Sequence, residues 1–277
     1  MKNVLNSLLT VLLLVSVTVV YATPGQDKET FQRFYSEHFP DIAIEDFADG
    51  VYALDQDARD QWQAMNDFPP YEDDLGEGQE LFNTAFANGK NYASCFKNKG
   101  ENIRQYYPKF DSKRKMVITL ELAINECRIK NGEEPLPYLK GEIAKISAYM
   151  ASTSEDSIIE IVTPASKDEL AAYQAGKQYF YSKRGQLNFS CANCHVQNVG
   201  RKARSETLSP ALGHPTHFPV YRLKWANFGT LHRRFVSCNK QVRAQPLTGQ
   251  SEAYRNLEYF LTYMSNGLPI NGPASRK

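Results

Sequence analysis

Cys191-Ala192-Asn193-Cys194-His195 holds two thiols three positions apart, with an imidazole beside the second. This is the c-type haem attachment pattern, in which two sulfurs reach both vinyl groups of one porphyrin and the histidine takes an axial position on iron. The competing chemistry for a C-x-x-C pair, thiol–disulfide redox, expects a thioredoxin-like βαβ context, and the surrounding residues offer none. Cys191 and Cys194 are therefore read as covalent anchors of one haem c, and His195 as an iron ligand.

The chain has five cysteines, so one thiol is left over from any pairing scheme. Cys238 is the remainder, and Arg233, Arg234, Lys240 and Arg243 surround it in sequence. Cations depress a thiol pKa and supply donors to a small dianion, and the planar fork of arginine bonds two oxygens at once. Cys238 is read as the second axial ligand, an anionic one that favours ferric iron. Met264, His214, His217 and His232 compete for that place. Methionine is the usual sixth ligand of electron-carrier cytochromes, but Met264 falls on the apolar stripe of a helix, where it reads as core.

The elements that must position these groups come in two echoing halves. Gly78-Gln79-Glu80-Leu81-Phe82 leads to Ser94-Cys95, and Gly176-Lys177-Gln178-Tyr179-Phe180 leads to Ser190-Cys191. Downstream, Leu120-Glu121-Leu122 precedes Cys127 and then Ala148-Tyr149-Met150. Leu231-His232-Arg233-Arg234 likewise precedes Cys238 and then Thr262-Tyr263-Met264. Each half reads as helix, cysteine-bearing loop, variable middle, second cysteine and closing helix. Apolar spacing supports the helices: Leu170, Tyr173, Gly176, Tyr179 and Phe180 share one face, as do Tyr254, Leu257, Phe260, Leu261 and Met264. Gly200, Pro210, Gly213, Pro215 and Pro219 make the middle of the second half mostly loop.

The expected fold is mainly α, with few short strands and two tandem cytochrome c-like domains at residues 23–164 and 165–277. The first domain should lack haem, because Cys95-Phe96-Lys97-Asn98-Lys99 keeps only the first cysteine of the attachment pattern. Cys95 and Cys127 stand where the second half has its haem anchor and Cys238. By their position they form either a disulfide, worth ~3–4 kcal/mol for a loop of that length, or two buried thiols. By this repeat logic Cys238 lies across the haem from His195.

Met1 to Ala22 reads as a cleaved secretory signal: Lys2 gives the positive start, Val4 to Val20 is almost wholly apolar, and Tyr21-Ala22 closes the pattern. A single membrane anchor is the alternative. Removing residues 1–22 takes one Lys and no acid, leaving zero formal charge. Export places the chain where thiols oxidise, in a bacterium the periplasm. A mean hydropathy of −0.50 excludes a polytopic membrane protein. Lys+Arg 32 against Asp+Glu 31 supplies no net field for nucleic acid.

The run from Gly213 to Arg222 (GHPTHFPVYR), then Leu231-His232-Arg233-Arg234-Phe235, Cys238 to Ala244 (CNKQVRA) and Tyr263 to Pro269 (YMSNGLP) closely resemble the SoxA family. The likeness extends over essentially the whole mature chain, and the missing first attachment motif resembles the monohaem branch. The resemblance implies a disulfide between Cys95 and Cys127, haem on Cys191 and Cys194, and His195 and Cys238 as axial ligands. It further implies that Cys238 is an active-site cysteine, found in the family as a persulfide, with Arg234 holding substrate; Arg243 is a further basic candidate on motif proximity. The implied activity is that of an L-cysteine S-thiosulfotransferase joining thiosulfate to a cysteine of the SoxYZ carrier. Electrons would leave through haem, and SoxX would be the heterodimer partner. Read from the residues alone, a periplasmic electron carrier in which Cys238 is only a ligand stays open beside the transferase. A haem-sensing interaction protein leaves the basic residues around Cys238 without a role.

Overall fold

The computed structural model describes residues 22–276, so the leader expected at residues 1–22 lies, but for Ala22, outside the described residues. Helices α1 (Pro24–His38), α2 (Gln56–Asn66) and α3 (Glu72–Asn83) come first. A hairpin of β1 (Lys109–Asp111) and β2 (Met116–Ile118) leads into α4 (Leu120–Lys130) and α5 (Glu142–Ser152). The same order then returns with α6 (Lys167–Tyr181), the one-turn α7 (Cys191–His195) and a short β3 (Lys202–Ala203)–β4 (Glu206–Thr207) hairpin. A second hairpin of β5 (Val220–Arg222) and β6 (Asn227–Gly229) leads into α8 (Leu231–Gln241) and α9 (Glu252–Met264). Finally β7 (Ala274–Arg276) adds to β5 in parallel. The fold is mainly α, and its strands span two or three residues each.

Two crossings organise it. α3 packs on α5 and α6 on α9, each through a glycine that lets two backbones touch. A Cβ on Gly78 would lie 2.2 Å from the carbonyl oxygen of Lys145, and one on Gly176 would lie 2.0 Å from that of Asn256. Lys145 and Asn256 therefore correspond, which pairs Met150 with Leu261. The echo of Tyr149-Met150 in Tyr263-Met264 is three positions out of register, nearly one helical turn. α4 and α8 match more closely. Each follows a hairpin and each is capped by a threonine, Thr119 accepting from Leu122 N and Thr230 from Arg233 N. Each carries its cysteine at the eighth position, Cys127 and Cys238.

The expected division at residue 164 does not describe how residues 24–54 pack. Phe31, Tyr35 and Phe47 are buried in the core of the second half, with Tyr173, Phe180 and Phe260. Phe31 meets Phe180 and Phe260 edge-on at 6.3 and 6.5 Å. The core of the first half, around Phe82, Tyr92, Ile124 and Met150, is formed without α1. The apolar face of α1 thus covers α6 and α9, an assignment that apolar periodicity cannot make, since it shows that a face is buried but not against what.

Buried polar groups meet where the halves join. Glu121 of α4 accepts a hydrogen bond from Ser147 of α5 at 2.8 Å, and at the corresponding positions His232 of α8 faces Glu258 of α9 at 3.2 Å. Burial first, then the charge of Glu258, hold the Glu121 carboxyl above the usual range, and Arg104 and the Ser147 hydroxyl offset part of this. A carboxyl whose folded pKa is raised stabilises fully below its unfolded pKa, and that contribution is lost as pH rises through the folded value. Glu121→Gln should therefore raise the midpoint of thermal unfolding above the ordinary carboxyl range, with the gain increasing as pH rises. Wild-type and variant curves of Tm against pH that run parallel would sink this.

A haem and thiol site built on two short helices

α7 is a single turn because its cap and its function coincide. Ser190 accepts from Asn193 N at 3.1 Å, and Asn193 Oδ1 accepts from Ser190 N at 2.8 Å. This capping box employs one of the two residues between the cysteines, while Ala192, the other, is buried in the core. Arg184 lies over the Tyr179 ring at 3.7 Å and points one guanidinium nitrogen at Cys191 Sγ, 3.5 Å away.

His195 is oriented through its other nitrogen. Nδ1 lies 2.8 Å from the carbonyl of Ser209. A carbonyl only accepts, so Nδ1 carries the proton and Nε2 is left with its lone pair for a metal. Tyr35 ties α1 to this loop, donating to the carbonyl of His195 at 2.6 Å and accepting from Ala211 N at 3.1 Å. His214 stands edge-on to His195 with ring centroids 4.4 Å apart, and its Nε2 is engaged by Ser209 Oγ at 3.0 Å. Burial, then the neighbouring His195 and Arg234, push its pKa well down, so it is neutral.

Across from α7, α8 supplies Cys238. Both lie on one cavity of about 460 Å³, with Cys191, Cys194, His195 and Cys238 in its wall beside Phe180, Phe218, Phe235, Leu257 and Leu261. The volume is in the usual range for a site enclosing an organic cofactor. Burial alone would push the Cys238 thiol up. Arg234, a hydrogen bond with His195, and Arg222 outweigh it and bring the thiol down to about 7. Arg234 precedes Cys238 by four positions and so shares its helix face. Its Nη1 is buried with no hydrogen-bond partner in the protein.

Other candidates fall elsewhere. Arg243, expected to bind substrate, does not line this cavity. The chain turns at the end of α8 through a positive φ of 56° at Arg243, and the residue borders an adjoining groove with Gln186 and with Tyr179 and Arg184, which line both. Arg233 stacks on Trp225 at 4.0 Å and bonds Asn227, and Lys240 is exposed. His232 accepts from Gln250 N at 3.0 Å and faces Glu258, while Met264 is buried at the end of α9; neither lines the cavity. His217 does line it. Sequence reasoning gave no role to three basic residues that line the cavity, Arg184, Arg222 on β5 and Arg276 on β7. Cys95 and Cys127 are bonded to each other, with their Cα atoms 5.8 Å apart.

The donor set fits a covalently held haem. Two thiols stand beside an imidazole of fixed tautomer, the walls are apolar, and a third sulfur faces the imidazole, while clusters of three or more metal-binding His, Cys, Asp or Glu side chains do not occur among the described residues. A site whose iron arrives already held by porphyrin needs no such cluster. Fold and site together define a c-type cytochrome.

Comparison with known proteins narrows this. Residues 77–159 match the family model of the SoxA/TsdA cytochrome c domain, and they fall on the half that lacks the attachment motif. The chain is 56% identical over 251 residues, 91% of its own length and 87% of the relative's, to the L-cysteine S-thiosulfotransferase subunit SoxA of Chlorobaculum tepidum. It is 50% identical over 260 residues to the same-named subunit of Allochromatium vinosum, covering 94% and 92% of the two chains. A crystal structure of SoxXA from P. pantotrophus superposes with a TM-score of 0.72 at 27% identity, covering 79% of this chain and 84% of that one. The chain belongs to the SoxA family. Among the described residues no helix is long and apolar enough to cross a membrane.

Proposed function

We propose that the chain is the catalytic subunit of a periplasmic L-cysteine S-thiosulfotransferase. It would carry one haem c on Cys191 and Cys194, pair with SoxX, and act on a cysteine of the SoxYZ carrier. The observation that carries this reading is the placement of Cys238: a half-buried thiol facing His195, with Arg234 and Arg222 beside it in one cavity. The 50–56% identity to proteins named for this activity supports it.

The overall change joins a carrier thiol to the sulfane sulfur of thiosulfate, releasing one proton and two electrons. When bound, the haem supplies the path by which those electrons leave. The protein groups do the rest. Arg234, with an unpartnered buried N–H, takes sulfonate oxygens and fixes which end of thiosulfate meets the sulfur. Cys238, or an outer sulfur on it, holds the sulfane end, and the carrier thiolate then takes the group by thiol–disulfide-type exchange. His195 is locked by Ser209 into the tautomer that directs Nε2 toward Cys238's side of the cavity. The Cys95–Cys127 bridge and the leader pattern support export. The shared glycine crossings and capped cysteine helices support descent of both halves from one cytochrome c-like unit.

The test is a conjugation assay with SoxX and SoxYZ, read by the mass of the carrier. Arg234→Ala should lower kcat/KM by about 10²- to 10³-fold, the scale of a lost transition-state charge donor. Arg243→Ala should stay within about twofold, the expectation for a surface change away from the site. Equal losses in both would overturn the assignment of Arg234.

A further inference from the structure

Charge is unevenly distributed along the chain. Between Leu170 and Ser251, the stretch that builds most of the site, stand twelve Lys and Arg and a single acid, Glu206. The whole chain is close to neutral, and twenty-eight of its 31 Asp and Glu precede Leu170. Such segregation gives one region a positive field that the total charge hides.

The field reaches the surface where the cavity opens. That mouth is marked by residues that line the cavity and are also exposed, Phe189 and Gln241 together with Ser205 and Glu206. Gln241 follows Cys238 by three positions on α8 and shares its helix face, so the opening lies on the side of the thiol. There the segment before α7 is fastened to the end of α8, with Gln186 N and Leu187 N donating to the carbonyls of Arg243 and Val242 at 3.4 and 3.3 Å. Lys183, Lys240 and Arg243 are thereby gathered on one rim, all of them exposed. Among the described residues none of the three forms an ion pair. They stand outside the cavity wall, so a cofactor within it does not supply their counter-charge. The same segments expose the apolar side chains of Leu187, Phe189 and Leu247. The adjoining groove, with Arg243 and Leu247 in its wall, continues the cavity through Tyr179, Arg184 and Asn239, which line both.

We propose that this rim is the docking surface for an acidic protein face that presents the acceptor thiol. Unpaired cations steer such a face to the mouth and fix its register, and the exposed apolar side chains give it area to bury. The proposal rests on the transferase reading for what docks. The acceptor fits this place rather than the companion cytochrome, because it alone must bring an atom through the mouth to Cys238.

The experiment measures calorimetric binding of thiol-blocked SoxYZ to the haem-loaded complex with SoxX, and conjugation of unblocked SoxYZ. Ionic strength is varied from about 0.01 to about 0.15 M, over which the screening length falls from about 30 to about 8 Å. In wild type, kcat/KM for the carrier should fall at least about tenfold over that range. Lys183→Glu, Lys240→Glu and Arg243→Glu combined should weaken carrier binding about 10- to 100-fold at the low end, with kcat changed less than about threefold. The gap from wild type should close as salt rises, which a structural defect would not do. Arg243→Ala alone has a small effect because the rim acts as a sum. Lys90→Glu, Lys97→Glu and Lys99→Glu combined, on exposed cations of the first half, change the net charge equally and should alter binding less than about twofold. Equal losses in the two triple variants overturn the proposal, as does a rim variant that binds carrier like wild type. A rim variant that loses SoxX but keeps the carrier assigns the surface to the companion cytochrome and also overturns it. Salt-sensitive carrier binding that needs the rim, without any conjugation, leaves the docking surface standing and removes the transferase reading. Conjugation insensitive to salt and to the rim does the reverse.

Discussion

Cys238→Ser should lower thiosulfate conjugation by at least about three orders of magnitude while leaving a folded, haem-bearing protein, because a hydroxyl can neither form a thiolate-like nucleophile at neutral pH nor carry a transferred sulfur. The residues proposed to anchor haem are others, Cys191 and Cys194, on another helix. Cys238 sits on the cavity side of α8, where serine removes little packing. The variant therefore separates the two readings that the residues alone leave open. If conjugation survives with only a shifted haem potential, the cysteine is a ligand and the protein an electron carrier. The companion measurement is the mass of the peptide containing Cys238 in active wild-type protein. No added sulfur on it in any turnover state would count against an outer sulfur as the transferring atom.

Gly176→Ala should destabilise the fold by about 3 kcal/mol or more, the upper part of the range for overpacking, because the obstruction is backbone. The added carbon would meet the Asn256 carbonyl oxygen at 2.0 Å, its carbon at 2.6 Å and Phe260 Cβ at 2.9 Å. None of these is the far end of a flexible side chain, so α6 and α9 must part. Alanine's better helix propensity returns only about 1 kcal/mol. Tyr173 and Phe180 on α6, with Phe260 on α9, would lose their contacts together. Because α6 leads directly to Arg184 and α7, the haem spectrum should change as well. Gly78→Ala makes the same clash with Lys145 and should cost stability similarly while leaving that spectrum intact. Thermal unfolding of both variants checks this, and a Gly176→Ala midpoint equal to wild type would refute the crossing as a constraint.

What could be read from the residues alone was the chemistry that is local in sequence. Cys191, Cys194 and His195 fall within five consecutive positions, and their spacing is that of the c-type haem attachment pattern. Arg234 was legible as one of four cations around Cys238, and its substrate role came from the family resemblance; the structure adds that four positions on a helix return it to the face of Cys238. The helices α6 and α9 followed from their apolar stripes, and Cys238 followed from a repeat that aligns two cysteine helices. The failures have one cause, dependence on long-range packing or on a single backbone angle. Arg243 follows Cys238 by five positions where Arg234 precedes it by four, but the turn after α8 carries it out of the cavity wall and into the adjoining groove. Arg222 and Arg276 are separated by more than fifty residues and meet only through strand pairing. The covering of the second core by α1 and the register of the closing helices likewise depend on contacts that no local pattern encodes.

The bond between Cys95 and Cys127 has a consequence for sulfur traffic. A sulfane atom parked on a cysteine migrates readily to any accessible thiol nearby. Of the five cysteines in this chain, two are tied to each other and, in the proposed function, two anchor the porphyrin. Cargo on Cys238 thus has no internal acceptor to leak to, and its way out is a thiol brought by another molecule.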